Sequence, residues 1–153
     1  MEKRNVRYLS PQEVGRLIEA ADTPQGRALL EFLYGTAARV SETVRVKVDD
    51  LDFKQRTVLL HGRTGDRVVP FGKKAVKALR AYLAGRKAGC LFLERKQPLS
   101  LKSIHQIVSK VGDRAGLKQV SPIVLRHSCA VALMDNGADV CLVQELLGHS
   151  RSS

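Results

Sequence analysis

Thr57-Val58-Leu59-Leu60-His61-Gly62-Arg63-Thr64-Gly65-Asp66-Arg67-Val68-Val69-Pro70-Phe71 breaks the helical periodicity that governs most of the chain. Two short runs rich in β-branched and apolar residues flank a turn that contains glycine at both Gly62 and Gly65. That pattern predicts an antiparallel hairpin. Everything around it reads as helix. The expected fold class is therefore mainly α with a small antiparallel β-sheet (α+β), the helices packing on one another and the sheet lying to one side.

Toward the amino terminus, residues 1–9 read as an arm or linker with three basic residues. Ser10-Pro11-Gln12-Glu13 then opens a helix, with Ser as N-cap, Pro at the first helical position and Glu reaching back. Val14, Leu17, Ile18 and Ala21 follow at helical spacing until Thr23-Pro24. A more apolar helix is expected over Gln25 to Thr36 and a short one over Ser41 to Arg45. Beyond the hairpin, Lys73 to Leu83 is a basic amphipathic helix and Leu91-Phe92-Leu93 a buried strand. Ser100 caps a helix to about Ala115, closed by Gly116. Ser121-Pro122 starts another, ended by Gly137 in the left-handed conformation, and Asp139 to Leu147 forms the last.

The charge balance narrows the partners. Lys and Arg number 26 against 15 Asp and Glu, a formal charge of +11, which favours polyanions and above all nucleic acid through counterion release. Cys90, Cys129 and Cys141 show no metal-ligand spacing; Cys129 and Cys141 lie among apolar residues, and buried reduced thiols are expected. No metal or cofactor is called for. No signal peptide or membrane-length apolar run appears, so a soluble cytoplasmic protein is expected.

Three segments carry the chemistry. Tyr34-Gly35-Thr36-Ala37-Ala38-Arg39-Val40-Ser41-Glu42 resembles the first-arginine box of the tyrosine recombinases, the phage-integrase family that includes the Xer-like enzymes. Leu125-Arg126-His127-Ser128 resembles the second-arginine box. Asn136-Gly137-Ala138-Asp139, with Gln144-Glu145-Leu146-Leu147-Gly148-His149-Ser150, resembles the stretch bearing the third active-site position. The three resemblances in this order, with a hairpin between the first two, imply that residues 10–153 are a catalytic-type domain of that family.

The resemblance implies site-specific DNA cleavage and rejoining through a phosphotyrosyl intermediate, without metal or cofactor. A tyrosine hydroxyl attacks the scissile phosphate, and guanidinium groups hold the non-bridging oxygens on which charge develops. Arg39 and Arg126 match the two clamping arginines and His149 the histidine that assists them. Glu42, at helical spacing from Arg39, is expected to orient that arginine rather than to react. Double-stranded DNA is the implied partner, with homo-oligomers on DNA in the intact protein.

Three departures stand beside these matches. The nucleophilic tyrosine is expected shortly after His149, but only Ser150-Arg151-Ser152-Ser153 follow, while Tyr8, Tyr34 and Tyr82 lie far upstream. On this reading the domain is incomplete at its C-terminus and does not cleave DNA by itself. Ile123 occupies a position where the family usually has histidine, three residues before Arg126; His127, otherwise expected to pack internally, is a possible substitute. The hairpin turn usually carries a lysine that protonates the leaving oxygen, and here Arg63 is nearest, able to bind phosphate but with too high a pKa for a general acid. Ile123 and Arg63 support an alternative: a non-catalytic DNA-binding remnant or regulator derived from a recombinase. A helical module for protein partners is a third reading, which the charge opposes.

Overall fold

The computed structural model describes residues 8–63 and 65–147. Among the described residues, seven α-helices and two small antiparallel sheets follow in the order α1 (Pro11–Glu19), α2 (Pro24–Thr36), α3 (Val40–Arg45), a 3-10 turn (Val48–Asp50), β1 (Leu51–Asp52), β2 (Thr57–Gly62), β3 (Gly65–Pro70), α4 (Lys73–Leu83), β4 (Leu93–Glu94), β5 (Gln97–Pro98), α5 (Leu101–Arg114), α6 (Pro122–Asp135) and α7 (Val140–Leu147). The mainly helical class with a small sheet is borne out.

The helix starts obey local chemistry. Ser10 forms a capping box with Glu13, and Thr23, Ser100 and Ser121 each accept a backbone N–H three residues on. Helix α2 is the axis of the core: Leu29, Leu30, Phe32 and Leu33 are fully buried, and α4 and α6 both pack on it. A second cluster of Ala37, Cys129, Ala130, Val143 and Leu147 joins the end of α2 to α6 and α7.

The hairpin pairs β2 with β3 from Thr57↔Pro70 to Gly62↔Gly65, and β1 adds a third strand on the far side of β2. This third strand was not expected, since two residues show no period. The expected strand at Leu91-Phe92-Leu93 is displaced. Leu91 and Phe92 are buried, but ladder pairing begins at Leu93, because left-handed Arg95 and Lys96 make the tight turn that returns Gln97 and Pro98.

Three further expectations are corrected. Cys141 is exposed rather than buried, although Cys129 is buried as anticipated. Tyr82, whose place in the basic amphipathic helix led to an expected surface position, is half-buried and stacked on Phe92 with ring centroids 5.6 Å apart, and its hydroxyl accepts the Leu93 N–H. Within the expected arm, Leu9 is buried, and its N–H donates to Ser128 Oγ on α6 at 2.8 Å.

Candidate phosphate-binding site

The two arginines that the sequence sets 87 positions apart (126 less 39) meet where α2 ends and α6 begins. Ala37 caps α2 in the left-handed region, φ 56°, a conformation that strains any side chain by about 1–2 kcal/mol. Its methyl is fully buried in the second apolar cluster, which offsets that strain. The turn aims the Ala37 carbonyl at α6, where Arg126 Nη1 donates to it at 2.9 Å. Arg126 Nη2 donates to the Leu147 carbonyl at 2.8 Å. A guanidinium carries five N–H donors, and among the described residues these two bonds use two of them.

Arg39 follows directly from this turn as the N-cap of α3 and is half-buried. Its side chain donates to no group among the described residues, yet its charge reaches Arg126. Burial first, and then the Arg39 charge, push the Arg126 pKa down to about 10, against the pull of Glu42. Two guanidiniums whose charges repel, with donors that meet no acceptor among the described residues, create a local demand for an anion.

Glu42 stabilises this like-charged pair. It is buried; one carboxylate oxygen accepts the Arg39 backbone N–H at 2.8 Å, and both oxygens engage Arg67. Burial works to raise its pKa, but the bonds from Arg67 and Arg39 together with their charges outweigh burial and hold it below the ordinary carboxylate value. Gly62 packs against the same carboxylate: a Cβ there would lie 2.9 Å from Glu42 Oε2 and 2.8 Å from the Gly65 carbonyl.

Arg67 is the residue that sequence reading missed. Its Nε donates to the Leu146 carbonyl at 2.9 Å while its other two nitrogens face Glu42. Arg67 and Arg126 thus hold the last two carbonyls of α7, which has no basic residue of its own in its final turn. A signal was available. Strand residues two apart share a face, and Arg67 alternates with Val69 and Phe71, both buried, so an inward arginine needing a partner could have been read from the pattern.

The other sequence-derived candidates scatter around this centre. Arg63 is exposed in the hairpin turn. His127 is half-buried with its ring 5.8 Å from that of Tyr8. Ile123 is 62% exposed near the start of α6, one helical turn before Arg126. His149 and the segment after it lie outside the described residues. Tyr34 packs between the two apolar clusters, where burial raises its pKa. Among the described residues no group of His, Cys, Asp or Glu is arranged to hold a metal ion, and no helix is long and apolar enough to cross a membrane.

Comparison with known proteins agrees with the geometry. Residues 7–153 match the model of the phage integrase family. Tyrosine recombinase XerD of Mycobacterium tuberculosis is 43% identical over 169 aligned positions, covering 97% of this chain and 54% of that protein. Tyrosine recombinase XerA of Pyrococcus horikoshii is 37% identical, covering 95% of this chain and 53% of the relative. The chain therefore spans about half the length of these curated relatives. The crystal structure of XerA recombinase superposes with a TM-score of 0.89 at 33% identity, over 95% of this chain and 57% of that one. A XerH recombinase complex with DNA shares the fold at a TM-score of 0.83 and 23% identity, over 97% of this chain and 48% of that one.

Proposed function

Because this chain belongs to the phage integrase family, we propose that it is the part of a site-specific recombinase catalytic domain that grips the DNA phosphate to be cleaved. The observation that carries this reading is the convergence of Arg126 and Arg39 at the Ala37 turn. Arg126 is oriented by two carbonyls, and among the described residues its remaining N–H donors and those of the Arg39 side chain meet no acceptor. Together they suit the two non-bridging oxygens of one phosphodiester, where negative charge accumulates as a fifth oxygen approaches phosphorus.

His149 follows the helix end that Arg67 and Arg126 hold, and we assign it the third phosphate contact. Arg63 reaches a phosphate from the hairpin turn. Glu42 keeps Arg39 in place by fixing the backbone at the start of α3. The attacking tyrosine, DNA strand exchange and assembly of several copies on DNA belong to this proposal as properties of the whole recombinase, acting in the cytoplasm.

A second reading keeps the DNA contact and drops the chemistry: a DNA-binding remnant or regulator. Ile123 favours it, because an exposed isoleucine one turn before Arg126 can neither donate to a phosphate nor move a proton.

Affinity for duplex DNA measured across salt concentration tests the shared claim. The logarithm of affinity should fall steeply with the logarithm of salt, by about 0.9 per phosphate neutralised. Arg39→Gln and Arg126→Gln should each lower that slope by about 1. A flat salt response contradicts both readings.

A further inference from the structure

We infer that His61 is a positioning residue for the β2–β3 turn, bracing it through a proton-dependent bridge between Asp50 and Asp66, so that the presentation of Arg63 to a phosphate varies with pH. This rests on the DNA reading above for its consequence, though not for the bridge itself.

His61 ends β2, and its cross-strand partner is Asp66, one pair before the turn closes at Gly62↔Gly65. Its Nε2 lies 3.1 Å from Asp50 Oδ1 and its Nδ1 3.3 Å from Asp66 Oδ2. A neutral imidazole has one N–H and one lone pair, so it can donate to only one of two carboxylates. The other nitrogen then faces a carboxylate oxygen lone pair to lone pair. Only the imidazolium donates to both. The side-chain bond to Asp50, followed by the lesser pull of Asp66 and against the effect of burial, accordingly holds the His61 pKa above its ordinary value of 6.5.

The charged surroundings are these. Asp50 comes from the 3-10 turn, and its other oxygen accepts the Lys47 N–H at 2.9 Å. Asp66 comes from β3. From α3, Arg45 reaches the His61 backbone carbonyl at 3.3 Å rather than the ring. Arg63 is two residues on in the turn. Among the described residues, the two carboxylates are thus the charged groups that meet the imidazole.

The two bonds are unequal. Asp50 is 13% exposed and tied to the backbone, whereas Asp66 is 55% exposed and its contact is longer. On deprotonation the Asp66 bond opens first. That loosens the strand pair beside the turn and frees a carboxylate close to Arg63, where it competes with phosphate. The sign follows from the raised pKa: the brace is complete below the ordinary histidine value and is lost as pH rises through the folded-state value.

Nuclear magnetic resonance on the full chain tests the bridge. Imidazole 15N shifts of His61 should report a doubly protonated ring that titrates above an ordinary histidine, and Asp50→Asn and Asp66→Asn should each lower the midpoint. The Gly62 and Gly65 amides should titrate with that same midpoint. A His61 midpoint at or below the ordinary value, or glycine amides that ignore it, overturns the inference. Duplex-DNA affinity from pH 5.5 to 8.5 tests the consequence: the wild-type chain should weaken several-fold through the His61 midpoint, and His61→Gln should remove that step. Identical pH profiles for the two proteins overturn it. Absence of DNA binding at every pH refutes the DNA reading instead, and the amide titration still decides the brace.

Discussion

Arg126 donates to the carbonyl of Ala37, two residues before Arg39, so the second arginine is hydrogen-bonded to the very turn that launches the first. The Arg126 guanidinium is consequently fixed against the backbone from which Arg39 projects before any ligand arrives. The two charges repel each other, and an anion relieves that repulsion.

Sulfate should therefore stabilise the protein more than chloride at equal ionic strength. Mass action gives about 2.7 kcal/mol at a hundred times the dissociation constant. Thermal melts of the wild-type chain should rise with sulfate, and Arg39→Gln or Arg126→Gln should reduce the increment to the part that sulfate confers by exclusion from any protein surface. Equal increments in all three proteins would place the anion elsewhere.

Arg67→Ala leaves Glu42 buried without its main partner, a loss of about 3–5 kcal/mol. Urea unfolding measures it directly. The Glu42 pKa is depressed in the folded state, so the stability it confers is complete above its ordinary value of 4.5 and is lost as pH falls through the folded value. The acid limb of the stability curve should accordingly be shallower in Glu42→Gln than in the wild type.

Gly62→Ala should destabilise by about 1–3 kcal/mol, since the added methyl meets the Gly65 carbonyl and the Glu42 carboxylate at the same time. Gly15→Ala, inside α1 with nothing near its Cβ position, is the contrast and should leave the urea midpoint unchanged or slightly raised.

Ser128→Ala removes the acceptor of the buried Leu9 N–H, costing about 1–3 kcal/mol. Hydrogen exchange at the Leu9 amide should accelerate while α2 amides remain protected. Unchanged exchange at Leu9 would show that this bond does not hold the segment.

What the sequence disclosed follows from physical scale. The hairpin was legible because a strand period of two stands out against helices, and the starts at Ser10, Ser100 and Ser121 because a cap acts within three residues; Thr23, read only as a stop, also caps α2. Arg39 and Arg126 were legible as motifs; their meeting depends on the left-handed Ala37, which a search for glycine passes over. Arg67 escaped because its partners, Glu42 and Leu146, lie 25 and 79 positions away. His61 escaped for a related reason: Asp66 is a cross-strand neighbour, but Asp50 comes from a turn beyond the sheet. Contacts inside one element are written locally, and contacts between elements are not.

A double-mutant cycle on duplex-DNA affinity, using Arg39→Gln, Arg126→Gln and the pair, probes most directly whether both arginines hold one phosphate. With a shared phosphate, the second substitution costs less once the first is made, giving a coupling of about 1 kcal/mol or more. Losses that add to within about 0.5 kcal/mol would mean two independent contacts and contradict the shared site.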